Sequence, residues 1–190
     1  MRKIILFNMV SLDGFFEGPD GNIDWHQTDE EFNQFSIDQL RTAGGLIFGR
    51  RTYELMASYW PTPAAAEDDT QVAEKMNALP KYVVTRTLNS VPWANSYLIK
   101  GDAAGELMKI KRLPGNDLFL FGSAELASTL IRQKIIDEYR IMVNPVILGQ
   151  GRPLFANISD TVALRLCSTR TFGNGNTLLI YQPEQTQPVG

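Results

Sequence analysis

Short apolar runs, separated by polar segments that carry glycine, set the pattern of this chain. Ile4-Ile5-Leu6-Phe7 is too short for a helix and reads as a buried strand. Leu46-Ile47-Phe48, Tyr82-Val83-Val84 and Leu118-Phe119-Leu120-Phe121 repeat that signature, with a weaker strand near Tyr97-Leu98-Ile99. Between them the spacing turns helical. Thr28-Asp29-Glu30-Glu31 has the spacing of a capping box, and Phe32, Phe35, Ile37 and Leu40 continue at roughly helical spacing to a Gly44-Gly45 stop. Further helices are predicted from Thr52 to Tyr59, near Val72 to Asn77, from about Ala103 to Lys111 and from Ala124 to Gln133. The segments Asp13 to Asn22 and Pro61 to Thr70 read as loops.

After Asp137 the pattern changes. Tyr139 to Val143 alternates like a strand and runs into the turn-rich Gly149-Gln150-Gly151-Arg152-Pro153. Two more strands, Ala163 to Ser168 and Thr177 to Tyr181, flank Gly173-Asn174-Gly175-Asn176, a hairpin signal. These elements predict a single α/β domain over residues 1–183 with a mostly parallel sheet and an antiparallel C-terminal hairpin. Residues 184–190 are expected to form a disordered tail.

Composition narrows the function classes. A length of 190 residues suits one domain, and 44% hydrophobic with 21% charged residues is ordinary for a soluble globular protein. A net charge of -3 without any run of five like charges argues against a nucleic-acid surface. No apolar stretch approaches the ~18–20 residues that cross a bilayer. The N-terminus lacks the apolar stretch and cleavage site of a signal peptide, so a cytoplasmic location is expected. One cysteine, Cys167, and one histidine, His26, leave no internal disulfide and no zinc site of His and Cys ligands. His26 reads as a surface residue and Cys167 as core or sheet packing.

Chemistry is expected where strands give way to helices, because free N–H groups at helix N-termini favour anions. Three such junctions carry unusual residues. In Gly49-Arg50-Arg51-Thr52, Gly49 lets a phosphate approach the backbone, Thr52 offers a hydroxyl and the arginines supply charge; the plainer alternative is a tight turn with solvated arginines. In Thr85-Arg86-Thr87, a guanidinium between two hydroxyls suits a phosphate. An arginine rather than an acid near the strand ends favours NADPH over NADH. In Gly122-Ser123-Ala124-Glu125, small residues and a helix dipole suit a pyrophosphate, although an ordinary N-cap serine explains them too. The candidate acids are Asp13, after the first strand, and Asp29 and Glu30, four and five residues after Trp25. Asp13 also fits a turn-forming Asp-Gly pair, and the other two fit helix N-terminal charge.

Six segments in order carry a resemblance. They are Met9-Val10-Ser11-Leu12-Asp13-Gly14, Gly49 to Glu54, Thr85-Arg86-Thr87-Leu88, Gly122 to Leu126, Ile135-Ile136-Asp137-Glu138, and Pro145 to Phe155. Across almost its whole length the chain resembles a stand-alone member of the dihydrofolate-reductase family related to the reductase domain of bacterial riboflavin biosynthesis. That resemblance implies a dihydrofolate reductase-like three-layer fold, NADPH as hydride donor and a homodimer. It further implies that Gly49–Thr52, Thr85–Thr87 and Gly122–Glu125 hold the phosphates and adenosine side, that the nicotinamide lies near Met9, Val10 and Gly122, and that Asp13 lies toward the substrate. The zinc deaminase often fused to the riboflavin enzyme has no counterpart here. Two further readings stand beside a reductase of an unidentified small substrate: a pyrimidine reductase of riboflavin biosynthesis, and a dimeric nucleotide-binding module without turnover.

Overall fold

The first strand, β1 (Ile4–Ser11), is buried at all eight positions, as a strand covered on both faces must be. In this computed structural model, which describes residues 1–184, β1 lies inside an eight-stranded sheet. The other strands are β2 (Phe15–Glu17), β3 (Ala43–Gly49), β4 (Lys81–Val84), β5 (Ser96–Ile99), β6 (Asp117–Phe121), β7 (Glu138–Asn144), β8 (Arg152–Pro153), β9 (Leu164–Thr171) and β10 (Thr177–Pro183). The helices are α1 (Glu30–Arg41), α2 (Arg50–Tyr59), α3 (Pro63–Asp68), α4 (Thr70–Ala78), α5 (Ala103–Arg112) and α6 (Ala124–Arg132). The large sheet has the order β5-β4-β3-β6-β1-β7-β10-β9, and β2 pairs with β8 in a separate two-stranded ribbon. Adjacent strands from β5 through β7 pair in parallel; β10 runs antiparallel to both β7 and β9, forming the expected terminal hairpin.

Alternation along each central strand divides the core into layers. Ile4 and Leu6 of β1, Ile47 of β3 and Leu118 and Leu120 of β6 face one side, where Leu107 of α5 and Leu126, Leu130 and Ile131 of α6 cover them. Ile5, Leu46, Phe48 and Phe119 face the other, under Ile37 and Leu40 of α1, Tyr53 of α2 and Val72 and Met76 of α4. Helix–sheet–helix layering follows, as anticipated. The parallel register aligns Gly49 with Val84, and Phe48 and Phe7 with Phe121. The ends of β3, β4 and β6 therefore emerge along one edge of the sheet, but only β3 and β6 lead into helices; after β4 the chain runs through a loop into β5, so Thr85-Arg86-Thr87 is not the strand-to-helix junction expected.

Several expectations change. Asp29, not Thr28, is the N-cap of α1, its carboxylate accepting from the Phe32 N–H at 2.8 Å. Gly44 and Gly45 do not merely stop that helix but lie within β3, where Gly44 packs against the Asn116 backbone and leaves no room for a side chain. The segment after Pro61, expected as a loop, contains α3, because Thr62 serves as its N-cap and Pro63 fits its first turn. Cys167 does not pack in the core; it is exposed on edge strand β9, because only β10 covers that strand. The tail is described only as far as Glu184, so the expectation for residues 185–190 lies outside the described residues.

Candidate active site

At the carboxyl edge of the sheet a cavity of about 770 Å³ opens between β1, α1, α2, α4 and the β6–α6 turn. Its walls are largely apolar, with Phe7, Met9, Phe16, Phe32 and Phe121 joined by Leu40, Met56 and Met76. Polar and charged groups, among them Glu17, Arg50, Arg51, Asp68, Asp69 and Arg152, also line it and can orient a ligand.

Two helix N-termini meet at its rim. Gly49 caps α2 in extended conformation and no side chain caps that helix, so first-turn N–H groups are open to an anion. Ser123 caps α6 with its Oγ accepting from Leu126 N–H, and both Gly122 (φ 61°) and Ser123 (φ 55°) are left-handed. The junctions touch. A Cβ on Gly49 would collide with Ser123, and one on Gly122 would lie 2.6 Å from Thr52 Oγ1. Both glycines thus let the two helix N-termini pack directly against each other. Of the residues named at these two junctions, Arg50, Arg51, Thr52, Gly122, Ser123 and Glu125 line the cavity, and Gly49 and Ala124 do not.

The middle junction behaves differently. Thr85 is buried and its Oγ1 accepts from Thr87 and Leu88 N–H groups at 3.1 Å each, so this hydroxyl shapes the turn. None of Thr85, Arg86 and Thr87 lines the cavity. Arg86 projects into solvent and meets Glu125 at 3.6 Å, which brings it to the rim beside α6. Of the three residues expected near a nicotinamide, Met9 and Gly122 line the cavity, whereas Val10 points into the core under α6. Strand alternation separates the neighbours.

The proposed acids all fall outside the lining. Asp13 accepts from Ser11 Oγ at 2.7 Å, Leu148 N–H at 3.1 Å and Gly149 N–H at 2.7 Å, and these bonds, Ser11 foremost, hold its carboxyl below the usual range. It fastens one loop to another. Asp29 is spent on its cap, and Glu30 is exposed. Instead, Glu17 from the β2–β8 ribbon lines the cavity, 2.9 Å from Arg152 and 3.7 Å from Arg51.

Among the polar residues of the lining that no sequence motif marks are Asn8 and His26, whereas Glu17 belongs to the loop from Glu17 to Trp25 expected to help form the pocket. Asn8 breaks the apolar run of β1, and that interruption was its signal. Its Oδ1 accepts from Gly122 N–H at 3.0 Å, while its Nδ2 is buried without a partner. His26, read as a surface residue, lines the cavity instead. Its ring meets Trp25 edge-to-face at 4.4 Å, its Nε2 is buried and unpartnered, and desolvation pushes its pKa down to about 4. A polar loop gave no hint of this, because the burial comes from the cavity walls. Among the described residues, no group of three or more His, Cys, Asp or Glu side chains is placed to hold a metal ion, and no helix is long and apolar enough to cross a membrane.

Comparison with known proteins agrees with the architecture. The RibD C-terminal domain matches residues 2–178. The uncharacterized proteins YyaP and YwjB of Bacillus subtilis (strain 168) are 34% and 32% identical; the alignments cover 95% and 90% of this chain and 94% and 93% of theirs. Dihydrofolate reductase from Enterococcus faecalis, solved with NADP(H), superposes with a TM-score of 0.67 at 15% identity over 96% of this chain and 97% of its own. The deaminase/5-amino-6-(5-phosphoribosylamino)uracil reductase of Thermotoga maritima gives 0.68 at 12% identity over 96% of this chain, which spans 56% of that longer protein. These likenesses establish the dihydrofolate reductase-like fold, and the match across residues 2–178 establishes the rest: the chain belongs to the RibD C-terminal domain family.

Proposed function

We propose that this protein is an NADPH-dependent reductase of a small, predominantly apolar ring compound. The observation that carries the reading is the meeting of two helix N-termini, at Gly49 and Ser123, beside an apolar cavity, with glycines that let them pack directly against each other. That meeting point fits a pyrophosphate: N–H groups point outward, the dipoles favour negative charge, and Arg50 and Arg51 stand at the rim. Arg86 beside Glu125 is the group we assign to the 2′-phosphate. Such a phosphate would replace a weak, solvent-screened ion pair with a stronger charge-assisted contact.

When bound, NADPH supplies the hydride. The chain's own contribution is binding, orientation and exclusion of water. Phe7, Met9, Phe32 and Phe121 offer flat, dry surfaces for two rings, and the interior offers neutral polar groups, Asn8, His26, Asn33 and Ser36. Glu17 is already engaged by Arg51 and Arg152. The other carboxylates of the lining are engaged as well, Asp68 by Tyr59 Oη, Asp69 as the N-cap of α4 and Glu125 by Arg86, which supports an uncharged acceptor rather than one that must be held by a free carboxylate. A cytoplasmic homodimer belongs to the same proposal, by family, and sedimentation analysis tests the oligomeric state.

The deciding experiment is a thermal-shift titration with NADPH and NADH on the wild type and on Arg86→Ala. A ligand selective for the folded state raises the midpoint with its occupancy. Stabilisation by NADPH but not NADH, with the difference lost in Arg86→Ala, supports the reading; no response to either nucleotide overturns it. Oxidation of NADPH by a panel of quinones, flavins, pterins and pyrimidines then separates a reductase from a binding module without turnover.

A further inference from the structure

We propose that Gln39 is a substrate-binding residue on the α1 wall of the cavity, its side-chain amide donating to a carbonyl oxygen of the ring compound that is reduced. The inference deepens the reductase reading above and rests on it for calling that compound the substrate.

α1 turns Phe32, Ser36 and Gln39, four and three residues apart, to the cavity. Gln39 is the most buried of the three, 5% exposed in the last turn of the helix. A glutamine amide in a largely apolar wall is unfavourable unless its oxygen and its N–H₂ both find partners. The oxygen has one. Arg140 of β7 donates from Nη1 to Gln39 Oε1 at 3.2 Å. Arg140 is fixed in turn, its Nε on Glu138 Oε1 at 2.8 Å and its guanidinium carbon 5.3 Å from the centre of the Phe119 ring. An arginine only donates, so the oxygen of Gln39 must face it and Nε2 is turned from it. Among the described residues Nε2 finds no acceptor, and unlike Nδ2 of Asn8 it is not sealed inside the protein. The open space that Gln39 borders is the cavity. An N–H₂ group donates and does not accept, so the matching ligand atom is an acceptor. The apolar walls favour a flat uncharged frame, and a carbonyl oxygen on such a frame meets both needs. Because Arg140 holds the amide in place before a ligand arrives, the donor selects oxygen-bearing rings over hydrocarbons of the same shape.

Two bicyclic compounds of one frame separate this contact from apolar packing: 1-tetralone, with one carbonyl oxygen, and tetralin, with none. Their binding is measured by ligand-observed NMR titration on the full chain without nucleotide, so the result stands apart from the NADPH titration. Gln39→Glu keeps an oxygen for Arg140 and removes the donor. We expect it to lower the affinity for 1-tetralone relative to tetralin by at least about fivefold, while tetralin itself changes by less than about threefold. Gln39→Met, which removes the donor without adding charge, is expected to do the same and carries the test should Gln39→Glu fail to fold. A purely structural role would move both compounds alike. An unchanged ratio in either folded variant, equal losses for the two compounds, or a wild type that binds neither overturns the proposal and leaves the NADPH reading untouched. A ratio that falls as expected in a protein that NADPH does not stabilise keeps the contact and overturns the reductase reading alone.

Discussion

The carboxylate of Asp13 accepts from the Gly149 N–H at 2.7 Å, joining the turn after β1 to the Gly-rich segment before β8 across 136 residues of sequence. Leu148 N–H and Ser11 Oγ bind the same group, and Phe15 N–H in turn donates to Ser11 Oγ at 3.0 Å. This cluster holds up the β2–β8 ribbon that carries Glu17 and Arg152 into the cavity. Asp13→Ala is therefore expected to lower the melting midpoint by a few degrees and to weaken substrate handling indirectly, with Asp13→Asn intermediate. Because the folded carboxyl titrates lower than usual, its support is present above the ordinary carboxylate range and fades as pH falls through the folded value. A variant with wild-type stability but no activity would return Asp13 to the catalytic list.

His26 makes stability depend on pH in another window. Its folded pKa is about 4 against an ordinary 6.5, so the unfolded chain takes up a proton first as pH falls. The stabilising contribution of the neutral ring is complete above pH 6.5 and declines toward pH 4. A gap of that size corresponds to about 3 kcal/mol at most. Urea unfolding of the wild type should lose about 2 kcal/mol between pH 7 and pH 4.5 from this source. Because His26 is the only histidine, His26→Gln should flatten the profile. An unchanged slope in the variant would refute the assignment.

Gly122 is a packing and conformational requirement at once. At φ 61° with Thr52 Oγ1 only 2.6 Å from a Cβ, Gly122→Ala should cost about 2 kcal/mol. It should also abolish the thermal response to NADPH, because relieving the collision moves α2 away from α6. Thr52→Ala in the same background removes the clashing hydroxyl and should recover part of both losses; no recovery would place the damage elsewhere.

Away from the cavity, Lys111 tests what holds the sheet together. Its ammonium, on a side chain only 5% exposed, lies 2.6 Å from Asp137, whose carboxylate also accepts from Ile4 N–H at 2.8 Å. The pair ties α5 to the start of β7 and β1. Lys111→Met leaves a half-covered carboxylate unpaired and should cost about 3 kcal/mol in denaturant unfolding. The double variant Lys111→Met/Asp137→Asn should cost less than the single.

Much of the architecture could be read along the chain, since apolar run length and period report local burial. Strands β1, β3, β4 and β6 were found because each is covered on both faces and carries a short continuous apolar run. The β2–β8 ribbon was not, because Phe15–Glu17 pairs with Arg152–Pro153 over a distance that no local pattern encodes. Gly49 and Gly122 were recognisable as places of close approach. That they approach each other follows from the parallel register of β3 and β6.

Side-chain chemistry divides along the same line. The amino-acid order by itself determined the layers, the hairpin and the edge where strand ends meet, because hydrophobic period and turn residues act over a few positions. Only the tertiary structure decided which polar groups face the cavity. Asp13, Asp29 and Glu30 are consumed by backbone partners or left in solvent, whereas Asn8 and His26, from an apolar strand and a polar loop, enter the interior. Burial and hydrogen bonding are settled by what packs around a residue, and those neighbours come from distant parts of the chain.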